Sequence, residues 1–372
     1  GHITAQGNLR SNSTQGNITL DIDSDAGTIQ ARANIDNKGY YTTHITGKDI
    51  NIAKAIPTSP LTRTDIILQA EGTITDMQSL LSGKQGLTIP TGTFKGMATQ
   101  TILMGYEYKN IQLNGAYSPH IYSGKIAIDD PNGQLNLQAR YDESQLQPQY
   151  TAQIVADSIN LHALNLIDIH EGRSFSARLN GNIKGKQFNH MTGSIKIDSL
   201  TMHREGDDYS INSIALYSFE SETKTLSLNS DFMNAAVKGD FTYQTIMRSL
   251  LAHLHDYLPS LCPSHNHRHI TSSNQCLVDL QIKDTEPLKE LLLIPISIDK
   301  TASIVAQFYD ESRSVGLDIQ IPQLTYNGND LANVVLQCKT NGHKAEIQGQ
   351  GSLYNDDTHI AATLQATAKE DK

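Results

Sequence analysis

Asn17-Ile18-Thr19-Leu20-Asp21-Ile22-Asp23 is the stretch that decides the fold. Successive side chains of an extended chain point to opposite faces, so Ile18, Leu20 and Ile22 share one side, with Asn17, Thr19, Asp21 and Asp23 on the other. The same period of two returns at Ile111 and Leu113, at Ile126 and Ile128, and at Leu135, Leu137 and Ala139. It recurs at Ile195 and Ile197, Leu226 and Leu228, Ile319 and Ile321, and Ile360, Ala362 and Leu364. Strands covered on both faces read as continuous apolar runs, whereas alternation marks half-buried antiparallel strands. The expectation is an all-β chain, mainly one long antiparallel sheet.

Turn chemistry agrees. Asn-Gly occurs at 114–115, 132–133, 180–181, 327–328 and 341–342, and Asp130-Pro131-Asn132-Gly133 is a strong turn tetrad. The pairs at 114 and 180 sit inside alternating runs and need not be hairpin tips. A longer repeat overlies the strands. Tyr41-Thr42-x-x-Ile45 and Ile50-Asn51-Ile52 reappear as Tyr150-Thr151-x-x-Ile154 and Ile159-Asn160-Leu161, an offset of 150 − 41 = 109. The offset carries on without a gap to Gly72 and Ile74, which meet Gly181 and Ile183. So long a period implies units of several strands that bury their faces against neighbouring units. The segments expected are 1–149, 150–243, a helix and Cys/His loop over 244–276, and 277–372, in one continuous structure.

Composition narrows the function. A net charge of −10, from 39 Asp+Glu against 29 Lys+Arg, excludes the basic stripe of a nucleic-acid binder. Charged residues are only 18% and Trp is absent, so the apolar face must be aliphatic. No stretch approaches the apolar length of a membrane helix and no signal peptide opens the chain. Strand-like sequence near both ends suggests a segment of something longer, with any membrane anchor outside it.

Helices are expected to be few. Ile246, Leu250, Leu254 and Leu258 have helical spacing within Thr245–Leu258, and Pro259 ends the run. This short amphipathic helix is expected to pack on the sheet rather than lie on a membrane, its polar face not being strongly basic. Asp76–Leu81 and Pro287–Leu292 each suit a helical turn or two.

Catalytic signatures are missing: the chain holds no Gly-x-Ser-x-Gly, Walker, Rossmann or His-Glu-x-x-His motif. Asp129-Asp130 and Asp207-Asp208 lie in turn-like polar stretches. The expectation is a protein that is not an enzyme and carries no cofactor. Cys262 and Cys276 bracket a hydrophilic loop that a disulfide could close, against the alternative of unpaired thiols. His265, His267 and His269 within that loop are weak metal candidates. Their spacing matches no standard zinc finger, and a solvated loop is the better reading.

Several blocks resemble a known family. Tyr150–Leu161, Gly193-Ser194-Ile195-Lys196-Ile197-Asp198-Ser199-Leu200 and Tyr209-Ser210-Ile211-Asn212-Ser213-Ile214 are similar to the TamB (translocation and assembly module) family in its Bacteroidetes-type form. So are Leu226–Phe232, Val237–Phe241, Tyr108–Leu113 and Tyr122–Ile126. The resemblance implies an AsmA-like sheet curled into an elongated apolar trough, anchored in the inner membrane and crossing the periplasm. It implies phospholipid as cargo, and outer-membrane protein assembly with a barrel partner of the BamA type. On that reading Ile18, Leu20, Ile22, Ile111, Leu113, Ile126, Ile128, Ile195, Ile197, Leu226, Leu228, Ile319 and Ile321 would line the trough. The same stripes could instead pack on each other as a closed sandwich core. A surface adhesin or stalk binding protein or glycan is the alternative of a different class. A β-helix lyase or hydrolase would need a shorter period and a carboxylate cluster on one face.

Overall fold

The computed structural model describes residues 2–57, 59–74, 90–246, 273–326, 328–341, 344–355 and 358–369. Among the described residues 24 strands form an antiparallel sheet, as alternation leads one to expect, and the sheet is not closed into a barrel. The chain divides into two compact units, residues 1–184 with 197–210, and 185–196 with 211–372.

The first unit is a meander. β1 (Ile3–Ser11), β2 (Gln15–Ser24), β3 (Gly27–Asp36), β4 (Tyr40–Ile50) and β5 (Leu61–Thr73) pair in order. They continue into β6 (Thr91–Leu103), which pairs with both the short β7 (Tyr106–Tyr108) and β8 (Ile111–Ser118). β9 (Ile121–Asp130), β10 (Gly133–Asp142), β11 (Gln149–Ile159) and β12 (Ser174–Lys184) follow. The Asp130–Gly133 tetrad is the two-residue turn between β9 and β10, held by Asp130 accepting from Asn132 N–H, the Tyr106 hydroxyl and Lys109 N–H. Asn114-Gly115 and Asn180-Gly181 lie inside β8 and β12.

The 109-residue repeat has a structural counterpart. Asp49 and Ser158, 109 apart, are both left-handed (φ 55° and 53°) at β-bulges preceding Ile50 and Ile159. Just beyond, the Asn51 side chain accepts from Lys54 N–H and caps the one-turn helix α1 (Ile52–Ala55), and Asn160 accepts from Ala163 N–H. The strands that follow keep a different offset. Ile45 pairs with Leu68 and Ile154 with Leu179, so the structural equivalence there is 179 − 68 = 111. Gly72 and Gly181 are therefore not equivalent: Gly72 faces Tyr41, whereas Gly181 faces Ala152 and Ile183 takes the place opposite Tyr150. A two-residue shift returns each side chain to the same face and costs the apolar pattern nothing.

β13 (Thr192–Arg204) and β14 (Asp207–Ile211) follow, and the division between the units falls inside β13. In the second unit β15 (Ile214–Glu220), β16 (Lys224–Ser230), β17 (Met233–Asp240) and β18 (Gln275–Ile282) pair in order. β18 then pairs with β20 (Ala302–Tyr309), and the ladder runs on through β21 (Ser314–Tyr326), β22 (Asn329–Thr340), β23 (Lys344–Asn355) and β24 (Thr358–Lys369). The helix α2 (Glu286–Leu292) and β19 (Ile296–Ile298), which pairs with β21, fill the connection after β18. α2 covers the turn or two expected over Pro287–Leu292. The helix expected over Thr245–Leu258 falls, beyond Ile246, outside the described residues, as does Asp76–Leu81.

A buried cluster of Phe241, Cys276, Phe308 and Val315 packs with Leu226, Val237 and Val278 in the second unit. Lys224 is buried against it at 6% exposure, with its ammonium 2.6 Å from the Phe241 carbonyl oxygen and 4.8 Å from the Tyr243 ring centroid. The carbonyl and the two aromatic faces replace the water lost by that charge.

Candidate functional site

The pairing registers place the apolar residues of the first unit in continuous rows that cross the strands. One row runs Leu20, Ala31, Ile45, Leu68, Gly96, Leu113, Ile126, Leu137, Ile154, Leu179, from β2 to β12. A parallel row two residues away along the strands runs Ile22, Ile29, Gly47, Ile66, Ala98, Ile111, Ile128, Leu135, Ala156, Ala177. On the other side lies Ile18, Ala33, Thr43, Ala70, Phe94, Gly115, Gly124, Ala139, Ala152, Gly181. None of these positions is charged. Lys95, Lys125, Arg32 and Arg178 all fall on the opposite face, with register keeping them there.

These rows are not sealed in a core. Among the described residues on them only Gly47 and Ala98 are buried, while Leu20 and Ile18 remain 36% and 45% exposed. Where β1 to β4 meet Ile74, Leu9, Ile18, Ala33, Ile35 and Tyr41 border a depression of about 600 Å³.

A fourth row ends in tyrosines: Tyr117, Tyr122, Tyr141 and Tyr150 occupy one register position on β8, β9, β10 and β11. Tyr122 and Tyr141 stack at 6.0 Å between ring centroids, and Tyr141 and Tyr150 at 4.8 Å. Tyr41 belongs to the same row and reaches across Gly72 and Gly92 to hydrogen-bond Tyr117. The Tyr141 hydroxyl donates to Glu143, which pushes its pKa up to about 12. Burial raises Tyr41 further. Alternation located the aliphatic rows, but the tyrosine row was missed. Its signal, Tyr at 117, 122, 141 and 150, becomes visible only when hairpin registers are known.

The second unit repeats the arrangement. Leu216, Leu228, Ala235, Leu280, Ile304, Ile319, Leu336, Gly349 and Leu364 form one row across it. Leu226 lies on the adjacent row with Val237 and Val278, and Ile321 pairs with Val334. Ile195 and Ile197 are half-buried on β13, alternating with exposed Lys196 and Asp198.

Cys262, His265, His267 and His269 lie outside the described residues. Cys276 carries a free thiol, which burial and then Asp310 push up to about 12. Among the described residues no group of three His, Cys, Asp or Glu side chains is placed to hold a metal ion. No helix there is long and apolar enough to cross a membrane.

Ser176, His203 and Asp208 in the first unit have the hydrogen-bond order of a hydrolytic triad, at 2.9 Å and 3.0 Å. The surroundings argue for a cross-strand brace. Ser176 Oγ also lies 3.1 Å from Asp157 and accepts from Ser158 N–H at the bulge, and Asp208 is 57% exposed. A nucleophile needs its oxygen free for attack and its base held by a sheltered carboxylate.

Comparison with protein-family models, with curated proteins and with solved structures finds no match for this chain.

Proposed function

We propose that the chain is a lipid-guiding segment of a cell-envelope protein of the TamB kind, with phospholipid acyl chains lying on the apolar rows. The observation that carries this reading is a face without charge, in register over successive strands and left half-exposed. An acyl chain of about 16 carbons loses on the order of 12 kcal/mol of unfavourable hydration when it leaves water, at about 0.8 kcal/mol per methylene. A carrier must therefore offer apolar surface without a break, since one charged side chain in the path would cost several kcal/mol to desolvate. The rows meet that demand, and their aliphatic character suits chains of varied length. No metal, cofactor or catalytic step enters this function. The TamB resemblance adds a periplasmic setting, an inner-membrane anchor beyond this segment and a BamA-type barrel as partner.

Mass spectrometry of the chain purified from bacterial envelopes without harsh detergent tests the reading. Stoichiometric phospholipid is expected. A folded, lipid-free preparation that takes up no phospholipid from vesicles overturns it.

A further inference from the structure

The two margins of the apolar face in the first unit differ, and the difference orients what lies on it. Beyond the row of Ile128 and Leu135, polar groups are buried and paired with one another. Thr64 and Thr101 share a hydrogen bond of 2.9 Å, and Asp130 takes the Tyr106 hydroxyl while 6% exposed. Tyr108 and Leu164 are closed in at the same level, 7% and 4% exposed. The opposite margin carries the tyrosine row, half-buried at Tyr117, Tyr122 and Tyr141 and 36% exposed at Tyr150. A phenol with an apolar ring and a polar tip settles where hydrocarbon meets water, the level of lipid headgroups in a membrane.

The dimensions agree. Leu135 and Tyr141 stand at the two margins of β10, six residues apart (141 − 135), a span of ~20 Å at ~3.3 Å per residue. One leaflet's acyl chains fill about 15 Å, half of a ~30 Å hydrocarbon core. A chain laid along the strands thus fits between the margins with its ester end at the tyrosines. The charge pattern selects the same occupant: nothing ionic over the hydrocarbon length, half-exposed phenols at one end, and at the other end the Thr64, Thr101 and Tyr106 hydroxyls paired with one another or with Asp130.

Building on the lipid-guiding reading, we propose that glycerophospholipids lie on this unit with acyl chains along the strands and the glycerol–phosphate level at Tyr117, Tyr122, Tyr141 and Tyr150. The tyrosines then form a rail along which headgroups pass from strand to strand while the tails stay on the aliphatic rows.

The chain contains no Trp, so one introduced indole reports its own position without background. Tyr141→Trp and Leu135→Trp place it at opposite margins of one strand. Each folded variant, checked by circular dichroism, is mixed with phosphatidylcholine vesicles that carry a nitroxide on the headgroup or bromines near the terminal methyl. Emission at position 141 should be lost mainly to the headgroup nitroxide and emission at 135 mainly to the terminal bromines. Equal or reversed quenching overturns the orientation while lipid binding stands. No quenching at either position overturns both orientation and lipid binding. Tyr122→Trp and Ile128→Trp on β9 repeat the comparison should either β10 variant fail to fold.

Discussion

The hydroxyls of Tyr41 and Tyr117 meet in a hydrogen bond above Gly72 and Gly92, spanning two strands that offer no side chain at that level. The glycines are what allow it. A Cβ on Gly72 would stand 2.8 Å from the Tyr41 hydroxyl and closer still to the Thr91 carbonyl oxygen. On Gly92 it would stand 2.7 Å from the Tyr117 hydroxyl. Large side chains on neighbouring strands can lie flat only over a residue with no Cβ. Phe94 covers Gly115 in the same way, with ring atoms 2.5 and 2.6 Å from where a Cβ would be.

Gly92→Ala should therefore lower stability by about 1–3 kcal/mol, the usual cost of overpacking against atoms that cannot yield. Thermal unfolding measures it. Tyr117→Ala in the Gly92→Ala background should recover part of the loss, since the phenol is one of the groups displaced; no recovery would mean that backbone clash accounts for all of it.

Leu137→Glu places a carboxylate in the middle of the charge-free rows. Leu137 is only half-buried, so the charge keeps access to water and the far-ultraviolet dichroism should stay close to that of the parent. Phospholipid recovered with the protein should fall several-fold, because acyl chains cannot solvate an anion. Parallel loss of fold and lipid would mean that these rows serve as a core.

Alkaline pH should weaken the first unit. Tyr141, pushed up to about 12 by Glu143, and Tyr41, raised further by burial, hold their protons more tightly in the folded state than at the ordinary value of 10.0. Their contribution is fully present below pH 10 and is lost as the pH rises through 12. Urea midpoints should fall over that window, and Tyr141→Phe should make the fall shallower.

Cys276, 4% exposed with its thiol pushed up to about 12, should resist alkylation at pH 8 in the folded chain and react once urea unfolds it. Peptide mapping separates it from the other cysteines. Rapid labelling of Cys276 in the native state would show that the Phe241–Phe308 cluster opens readily.

Among the described residues β1 is paired along one edge, with β2, and its Ile3 and Leu9 are 73% and 70% exposed. An uncovered edge strand invites another strand. Leu9→Lys should reduce concentration-dependent scattering of the chain, with secondary structure unchanged.

Alternation at Ile18, Leu20 and Ile22, and at Leu135, Leu137 and Ala139, was enough to establish antiparallel strands and to divide each into a wet and an apolar side. That information is local, since the pleat alone assigns neighbours to opposite faces. The repeat was legible in part for the same reason: Asn51 and Asn160 cap through contacts three residues away, although the bulges at Asp49 and Ser158 are held by Asp65 and Ser176 on the neighbouring strands. Register was not legible. Gly72 and Gly181 match by sequence offset yet face Tyr41 and Ala152, because a slip of two residues preserves the face and leaves no mark on the pattern. The alignment of Tyr117, Tyr122, Tyr141 and Tyr150 depends on three such registers, and the glycines beneath Tyr41 and Tyr117 gain their purpose only from strands far away in sequence. The sequence by itself determined which residues are apolar-facing. The tertiary structure decided which of them stand side by side, because strand pairing is a long-range choice between registers that local chemistry leaves equal.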